Sequence, residues 1–367
     1  MNLSEALKQR YTKEKMSAYD AQRLAEFIAF GPVIFQASRL MIKFGILDLL
    51  DAHPEGMTRE ELVKATGLSD YAVKCLTDAS LSIGTILVDD STDRFRISKT
   101  GFFLLKDKAT RVNIDFNHDV NYLGWFNLEE SLKEGRPAGL KTLGEWPTIY
   151  EGLSSLEPQV QKSWFGFDHF YSDSSFPEAL KVVFDMHKTR FLLDVGGNTG
   201  RWAMQCVGYD PEVRVTILDL PQQIGLMKEA TKGKPGAERI DGFGTDMLDP
   251  EAMLPTDRHY DAIWMSQFLD CFSGQQIVSI LRRAAKIMDG ESRLYIMETL
   301  WDRQKYETAA MCLTLTSLYF TALANGNSKM YHSEDMMAYV KEAGMEVEKI
   351  IDNLGQGHSI MICRLVQ

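Results

Sequence analysis

The sequence predicts an α/β protein in which a mostly helical N-terminal part of winged-helix type precedes a Rossmann-like sheet of seven strands. First, residues 191–200 read as an apolar strand that runs into a glycine-rich turn, with helix-like sequence after it. Second, helical segments separate most of the other apolar strands, which is typical of a parallel sheet covered on both faces. Third, two helices and a small hairpin follow one another near the N-terminus.

The composition is that of a globular protein with two or three domains. The chain has 367 residues, of which 45% are hydrophobic, and a formal net charge of -11. This acidity argues against nucleic acid or an anionic membrane as the main partner. Five scattered cysteines without a C-x-x-C pair predict reduced thiols in a cytoplasmic protein. No secretory signal, membrane span or metal site is predicted.

Helix caps and stop signals divide the N-terminal part. An amphipathic helix over residues 36–50 is interrupted at Gly45. Thr58 with Glu61 three residues later predicts a capping box, and Ser69 is suited to cap the following helix. Two short strands complete the winged-helix pattern, at residues 85–88 and 94–97.

Winged helices often bind DNA through their second helix. Here that helix, over residues 69–78, offers one Lys and two Asp and contains no Arg. A recognition helix needs cations for phosphates and bidentate groups for base edges. The sequence therefore favours a packing or dimerisation module, and a winged-helix regulator that senses a ligand is kept as an alternative.

Residues 112–170 predict further helices. Their aromatic residues at helical spacing are more typical of a core, but a helical region just before an α/β domain can also close over a pocket. His118 is a candidate substrate-binding residue, although a lone histidine is more often structural. We predict three parts: residues 1–110, 111–187 and 188–367.

Seven apolar segments are predicted to form the strands of the C-terminal sheet. They lie at residues 191–195, 213–218, 238–241, 260–265, 293–298, 346–351 and 358–364. The last two are joined by the turn-rich residues 352–357, which predicts a hairpin and hence one antiparallel strand.

The glycine-rich turn does not have the dinucleotide spacing G-x-G-x-x-G. Its glycines fall at positions 196, 197 and 200. It is closer to the acidic-x-Gly-x-Gly-x-Gly turn of enzymes that bind S-adenosylmethionine, with Asn198 at the middle glycine position. Asn tolerates left-handed backbone better than other non-glycine residues do, so the substitution is mild. Taken alone, the motif also fits an ordinary strand–helix turn.

Acidic residues follow the next two strands. Asp219 lies 25 positions after Asp194, at the end of the second strand, where an acid typically accepts hydrogen bonds from ribose hydroxyls. Leu220 follows it and is grouped with the cofactor-binding candidates. After the third strand, Asp246 is a candidate acceptor for the adenine amino group, and Met247 is suited to pack on the ring.

The ends of the fourth and fifth strands face the same crevice. Ser266 and Gln267 are candidates for the cofactor side, and Asp270 is a candidate for the substrate side. The fifth strand places Glu298 on the same rim.

These motifs together resemble class I S-adenosylmethionine-dependent O-methyltransferases, of the type that includes plant caffeate and flavonoid enzymes and bacterial polyketide-tailoring enzymes. The resemblance covers nearly the whole chain. GILDLLDAHPEGMTREELVKATGLS and DRFRISKTGFFLL are similar to the family's winged-helix dimerisation domain, and WFNLEESLKEGRP to the helix before its catalytic domain. DVGGNTG, ILDLP and GTDMLDP then follow in the family's order.

The resemblance implies S-adenosylmethionine as cofactor, a phenolic or hydroxylated small-molecule acceptor, and a homodimer formed through the N-terminal domain. It assigns the methionine and ribose parts of the cofactor to Gly196, Gly197 and Asp219. It assigns the adenosine to Asp246, Met247 and Ser266. It also places Asp194 near the positive end of the cofactor. Asn325 lies where relatives place substrate contacts.

The chain departs from the family at the catalytic base. Asp270 stands at the position of the usual His, with Cys271 at the position of the Asp that accompanies it. Glu298 matches a family acid that orients the base. A free Asp, with a pKa of ~3.9, is poorly matched to a phenol near ~10, but burial beside Glu298 is expected to raise the pKa.

Three interpretations of Asp270 stay open. It is a tuned base, or it binds a cationic or polyhydroxyl substrate while proximity alone drives transfer. In the third interpretation, the protein is a catalytically altered relative of the family that uses the cofactor for another reaction.

Overall fold

The computed structural model describes residues 3–366, which form two compact units. One comprises residues 14–119, and the other comprises residues 3–13 with residues 120–366. The α-helices are α1 Glu5–Tyr11, α2 Ala18–Ala29, α3 Gly31–Lys43, α4 Ile46–Ala52, α5 Arg59–Thr66, α6 Asp70–Ile83, α7 Lys99–Lys106, α8 Lys108–Phe116, α9 Leu128–Glu134, α10 Ile149–Gly152, α11 Pro158–Asp173, α12 Phe176–Asp185, α13 Arg201–Tyr209, α14 Pro221–Thr231, α15 Gly274–Ala285, α16 Glu307–Tyr319 and α17 Ser333–Glu342. The strands are β1 Ile86–Asp89, β2 Arg94–Ile97, β3 Phe191–Val195, β4 Arg214–Asp219, β5 Ile240–Gly244, β6 Ala262–Ser266, β7 Arg293–Glu298, β8 Met345–Leu354 and β9 His358–Leu365.

The unit of residues 14–119 contains the predicted winged helix. Gly45 adopts the left-handed region, with φ 73°, between α3 and α4, as the helix interruption requires. The capping box before α5 is formed, because Thr58 Oγ1 accepts from the Glu61 N–H and Glu61 Oε2 accepts from the Thr58 N–H. Ser69 caps α6 through the Ala72 N–H. Strands β1 and β2 pair antiparallel, so the predicted helices and hairpin are confirmed.

The second unit is built on a seven-stranded sheet of order β5-β4-β3-β6-β7-β9-β8. All neighbouring pairs are parallel except those that involve β9, which is antiparallel to β7 and to β8. The prediction of seven strands with one antiparallel member is therefore confirmed. The chain runs outward in one direction from β3 and in the other from β6. A crevice consequently opens at the carboxyl ends of these two strands.

The sheet is covered on both faces by separate apolar clusters. Leu192 belongs to one cluster and Leu193 to the other, as expected from the alternation of side chains along a strand. Because both faces are buried, β3, β6 and β7 are nearly continuous apolar runs.

The helices from α9 to α12 belong to the same compact unit as the sheet. The boundary between the units falls at residues 119 and 120, and the predicted three-part division stays a prediction. In the described chain no single helix is long and apolar enough to cross a membrane, although α2 and α3, bent by 73°, pass that test as a pair by length and composition.

Candidate active site

The glycine turn brings bare backbone against a buried carboxyl group. Gly196, Asn198 and Gly200 all have left-handed backbone, with φ of 77°, 48° and 79°. The prediction that Asn198 tolerates this conformation is confirmed. A Cβ on Gly197 would lie 2.6 Å from Asp194 Oδ2, so only glycine fits above this carboxyl group.

Asp194 is 2% exposed, and its Oδ2 has no hydrogen-bond partner among the described residues. Burial, followed by the nearby charge of Asp219, raises the pKa of Asp194 to about 8. A carboxyl group in this state gains from a cation placed beside it, since the cation would favour the ionised form.

Asp219, at the end of β4, is tied to the glycine turn. Its Oδ2 accepts from the Asn198 N–H at 2.8 Å, and its Oδ1 accepts from the Leu220 N–H at 2.7 Å. Burial raises the pKa of Asp219, while these two hydrogen bonds act in the opposite direction. Leu220 thus contributes its backbone to the orientation of Asp219.

The loop after β5 begins next to Asp219, because the Thr245 N–H donates to the Asp219 carbonyl at 2.8 Å. The side chain of Asp246 is exposed, and its Oδ1 accepts from the Leu248 N–H at 2.8 Å. Met247 is 6% exposed and packs in the core. The loop therefore exposes the Asp246 carboxylate at the rim of the crevice, and the buried Met247 side chain holds the loop to the core.

The end of β6 carries a strained residue. Gln267 has φ 45°, although it is not glycine, and its Oε1 is buried without a partner among the described residues. Its N–H continues the sheet by donating to the Met297 carbonyl at 2.9 Å. Such backbone costs of order 1–3 kcal/mol and is typical of functional positions. Ser266 precedes it at the end of the strand.

Asp270 lies in a short 3-10 turn and is 5% exposed. Burial raises the pKa of Asp270 to about 6, so that this carboxyl group titrates near neutral pH. Cys271 Sγ donates to Asp270 Oδ1 at 3.5 Å.

Glu298 holds the turn that carries Asp270. Its Oε1 accepts from the N–H groups of Phe268 and Leu269, at 3.1 Å and 2.9 Å. Burial and then the charge of Asp270 place the pKa of Glu298 well above its ordinary value. The pKa shift of Asp270 has the expected direction, but its main cause is burial rather than the charge of Glu298. The contacts of Glu298 are those of a positioning residue, and a catalytic role stays a prediction.

Asn325 holds the same turn from the other side. Its Nδ2 donates to the Cys271 carbonyl, and its Oδ1 accepts from the Asn327 N–H at 3.1 Å and from Ser328 Oγ at 3.0 Å. His118 lies in the unit of residues 14–119, where its Nδ1 is 2.7 Å from Asp119 Oδ1. The substrate-binding roles of Asn325 and His118 stay predictions.

Sequence reasoning missed a group on α11 and α16. Trp164 Nε1 donates to the Tyr319 hydroxyl at 2.7 Å, and Asp168 lies one helical turn further along the same face of α11. Burial and then the charge of Asp270 raise the pKa of Asp168 to about 7. Burial, followed by the nearby Cys271, raises the pKa of Tyr150 well above its ordinary value. An acid inside the aromatic run WFGFDHFY was the available signal.

The fold and the acids at the strand ends are typical of one class of protein, enzymes that bind a nucleoside cofactor at the reversal point of a parallel sheet. Comparison with known proteins gives the family. The O-methyltransferase domain family matches residues 126–346, and the Dimerisation2-like domain matches residues 22–95. The chain belongs to the O-methyltransferase domain family and is an S-adenosylmethionine-dependent methyltransferase.

Two curated relatives and one solved structure illustrate the likeness. An L-tyrosine C(3)-methyltransferase of Streptomyces lavendulae is 23% identical over 90% of this chain and 88% of its own length. A mitomycin biosynthesis 6-O-methyltransferase of the same organism is 23% identical over 86% of each chain. The O-methyltransferase NcsB1 from neocarzinostatin biosynthesis, solved with S-adenosylmethionine and 2-hydroxy-5-methyl naphthoic acid, has a TM-score of 0.66 at 19% identity. That alignment covers 90% of this chain and 96% of NcsB1, and it shows a shared fold.

The residues present fit this cofactor. The unpartnered Asp194 Oδ2 suits its positive end, and a side chain at Gly197 would collide with that oxygen. Asp219 retains acceptor capacity beyond its two backbone hydrogen bonds, since each carboxylate oxygen has two lone pairs.

Proposed function

We propose that this protein methylates an oxygen of a small phenolic or hydroxylated acceptor, with Asp270 as the base. The observation that carries the proposal is the buried Asp270 carboxyl group, whose pKa is about 6, beyond the end of β6. A base of this pKa is largely ionised at neutral pH and is better matched to its task than a free Asp.

The proposed roles follow from the contacts of each residue. S-adenosylmethionine supplies an electrophilic methyl group when it is bound. Asp219 and Asp246 would accept hydrogen bonds from its ribose and adenine parts, and Asp194 would face its positive charge. Glu298 holds the turn of Asp270 so that this carboxylate can receive the hydroxyl proton of the acceptor. Holding the acceptor in line with the methyl group supplies the remaining advantage.

Carbon methylation of a phenol is a second candidate. It is supported by Asp270 at the usual His position and by the relative named as an L-tyrosine C(3)-methyltransferase, which aligns with 90% of this chain. Nuclear magnetic resonance of the methylated product separates an O-methyl from a C-methyl group. Cofactor left unconsumed across a broad panel of acceptors would instead favour a catalytically altered relative.

The proposal includes a homodimer in a reducing, cytoplasmic compartment. The match to the Dimerisation2-like domain supports the dimer. So do exposed apolar side chains on α2 and α3, among them Ile28 and Val33, which are 71% and 58% exposed. The five free cysteines support the compartment. Light scattering should give twice the chain mass, and a monomer at micromolar concentration would contradict the dimer.

Calorimetry with S-adenosylhomocysteine tests the core of the proposal. We expect binding to the wild type and a strong loss of affinity in Asp219→Ala, because the ribose and the glycine turn both depend on that carboxylate. A wild type that does not bind S-adenosylhomocysteine would refute the proposal. Salt-dependent binding to duplex DNA would favour the winged-helix regulator instead.

A further inference from the structure

A buried arginine holds the loop that follows β5. Arg283, on α15, is 8% exposed. Its Nη2 donates to the Met247 carbonyl at 2.6 Å, and its Nη1 donates to the carbonyls of Asp249 and Ala252 at 2.8 Å and 3.3 Å. Of the ion pairs between described residues, none includes Arg283. Its guanidinium therefore serves backbone carbonyls rather than a carboxylate.

The loop's own hydrogen bonds form short turns, in which Asp246 Oδ1 accepts from the Leu248 N–H and Asp249 Oδ1 accepts from the Glu251 N–H. The Asp249 N–H donates to the Asp246 carbonyl at 3.2 Å, and the Ala252 N–H donates to the Asp249 carbonyl at 3.1 Å. These are consecutive turns without a strand or helix to define them. A carbonyl group that is shielded from water costs free energy unless it is paired. Here one planar guanidinium pairs the buried carbonyl of Met247 and the partly buried carbonyls of Asp249 and Ala252.

We propose that Arg283 is a positioning residue for cofactor recognition, because it fixes the loop on which Asp246 meets the adenosine and Met247 packs into the core. This inference rests on the proposed function. Arg283 acts through the loop and does not itself contact the cofactor. A lysine cannot replace it, since one ammonium group lacks the fork of donors that spans several carbonyls.

The neighbouring arginine supplies a matched control. Arg282 lies on the same helix but is 56% exposed, and its Nη2 pairs with Glu342 Oε1 at 3.1 Å. Arg282→Lys thus makes the same chemical change without touching the loop.

Binding of S-adenosylhomocysteine and of S-inosylhomocysteine, measured by calorimetry, tests the inference. The second ligand carries a carbonyl in place of the adenine amino group. In Arg283→Lys we expect at least tenfold weaker binding of S-adenosylhomocysteine and a reduced preference over S-inosylhomocysteine. Arg282→Lys should behave as the wild type, and turnover of Arg283→Lys should recover at saturating cofactor.

Wild-type affinity and preference in a folded Arg283→Lys would overturn the inference while leaving the proposed function intact. Absence of binding to the wild type would instead refute the proposed function. If Arg283→Lys does not fold, hydrogen exchange of the free wild type decides. Slow exchange of the Asp249 and Ala252 amides supports a loop fixed in advance, and fast exchange before cofactor is added overturns it.

Discussion

Two buried carboxyl groups lie at the candidate site without a cationic partner in residues 3–366. Asp194 and Asp270 are 2% and 5% exposed, and neither forms an ion pair with another described residue. Burial raises the pKa of Asp194 to about 8 and that of Asp270 to about 6. Without cofactor at neutral pH, Asp194 is therefore mostly protonated and Asp270 mostly ionised. This agrees with the proposed role of Asp270 as a base and leaves Asp194 to ionise beside a cation.

Asp270→Asn should reduce turnover by about 10²- to 10⁴-fold, because the amide cannot accept the acceptor proton. Its affinity for S-adenosylhomocysteine should be unchanged. In the wild type, kcat/KM should rise as the pH increases through about 6, since the base acts only when it is ionised. Equal turnover in the variant, measured by formation of S-adenosylhomocysteine, would remove Asp270 as the base and favour transfer by proximity alone.

Gly197→Ala should weaken cofactor binding and lower stability by about 1–3 kcal/mol, because the new Cβ would meet Asp194 Oδ2 and the Ile217 side chain. Gly208→Ala on α13 is the matched control, since a Cβ there meets nothing within 4 Å. We expect it to be neutral or to stabilise the protein by about 0.5–1 kcal/mol. Denaturant unfolding and calorimetry measure both effects, and similar results for the two variants would contradict the steric argument.

Loops held by side chains from neighbouring elements place the functional groups. Glu298, at the end of β7, accepts a hydrogen bond from the Leu269 N–H, just before Asp270. Asn325 follows α16 in the chain and donates to the Cys271 carbonyl, just after Asp270. Trp164 on α11 donates to Tyr319 on α16, so these helices are fixed to each other. The acceptor side is thus assembled from elements far apart in sequence.

Comparing Glu298→Ala with Glu298→Gln shows whether Glu298 only supports the turn of Asp270 or also takes part in catalysis. The alanine variant leaves the buried N–H of Leu269 unpaired, at about 1–3 kcal/mol, and the partly buried N–H of Phe268 as well. The glutamine variant keeps an acceptor oxygen, so we expect near-normal stability and most of the activity. A folded glutamine variant as inactive as Asp270→Asn would show instead that the carboxyl group of Glu298 takes part in the reaction.

The pH dependence of folding reflects two buried groups whose pKa values shift in opposite directions. Asp194 has a folded pKa of about 8 against about 3.9 when unfolded, so the folded state holds an extra proton between these values. Its contribution to stability is lost as pH rises. His358 is 0% exposed and has a folded pKa of about 4. Its contribution is lost instead as pH falls below about 6.5.

Above about pH 6.5, only the first of these two effects operates. The melting temperature of the cofactor-free protein should therefore fall between pH 6.5 and 8, with up to about 1.4 kcal/mol of stability lost per pH unit for one proton. Asp194→Asn keeps the shape of the side chain but cannot titrate, so its melting temperature should fall less. An equally steep fall in this variant would assign the effect to other groups.

Local sequence signals were sufficient to predict backbone conformations that depend only on a few neighbouring residues. The left-handed backbone at Gly45 and Asn198 follows from the residue types, and the capping box at Thr58 follows from spacing. The roles of Arg283 and Asp168 could not be read in the same way. Each depends on groups more than 30 residues away, although a cation on the apolar face of α15 was a visible signal.

The sequence by itself determined the strands, the glycine turn and the acids that follow the strands, because these depend on side-chain alternation and on backbone freedom over a few residues. Tertiary structure alone decided the state of those acids. Burial raised the pKa values of Asp270 and Glu298, and packing turned Arg283 toward backbone carbonyl groups. Electrostatic behaviour depends on what surrounds a group in three dimensions, and neighbours in sequence do not specify it.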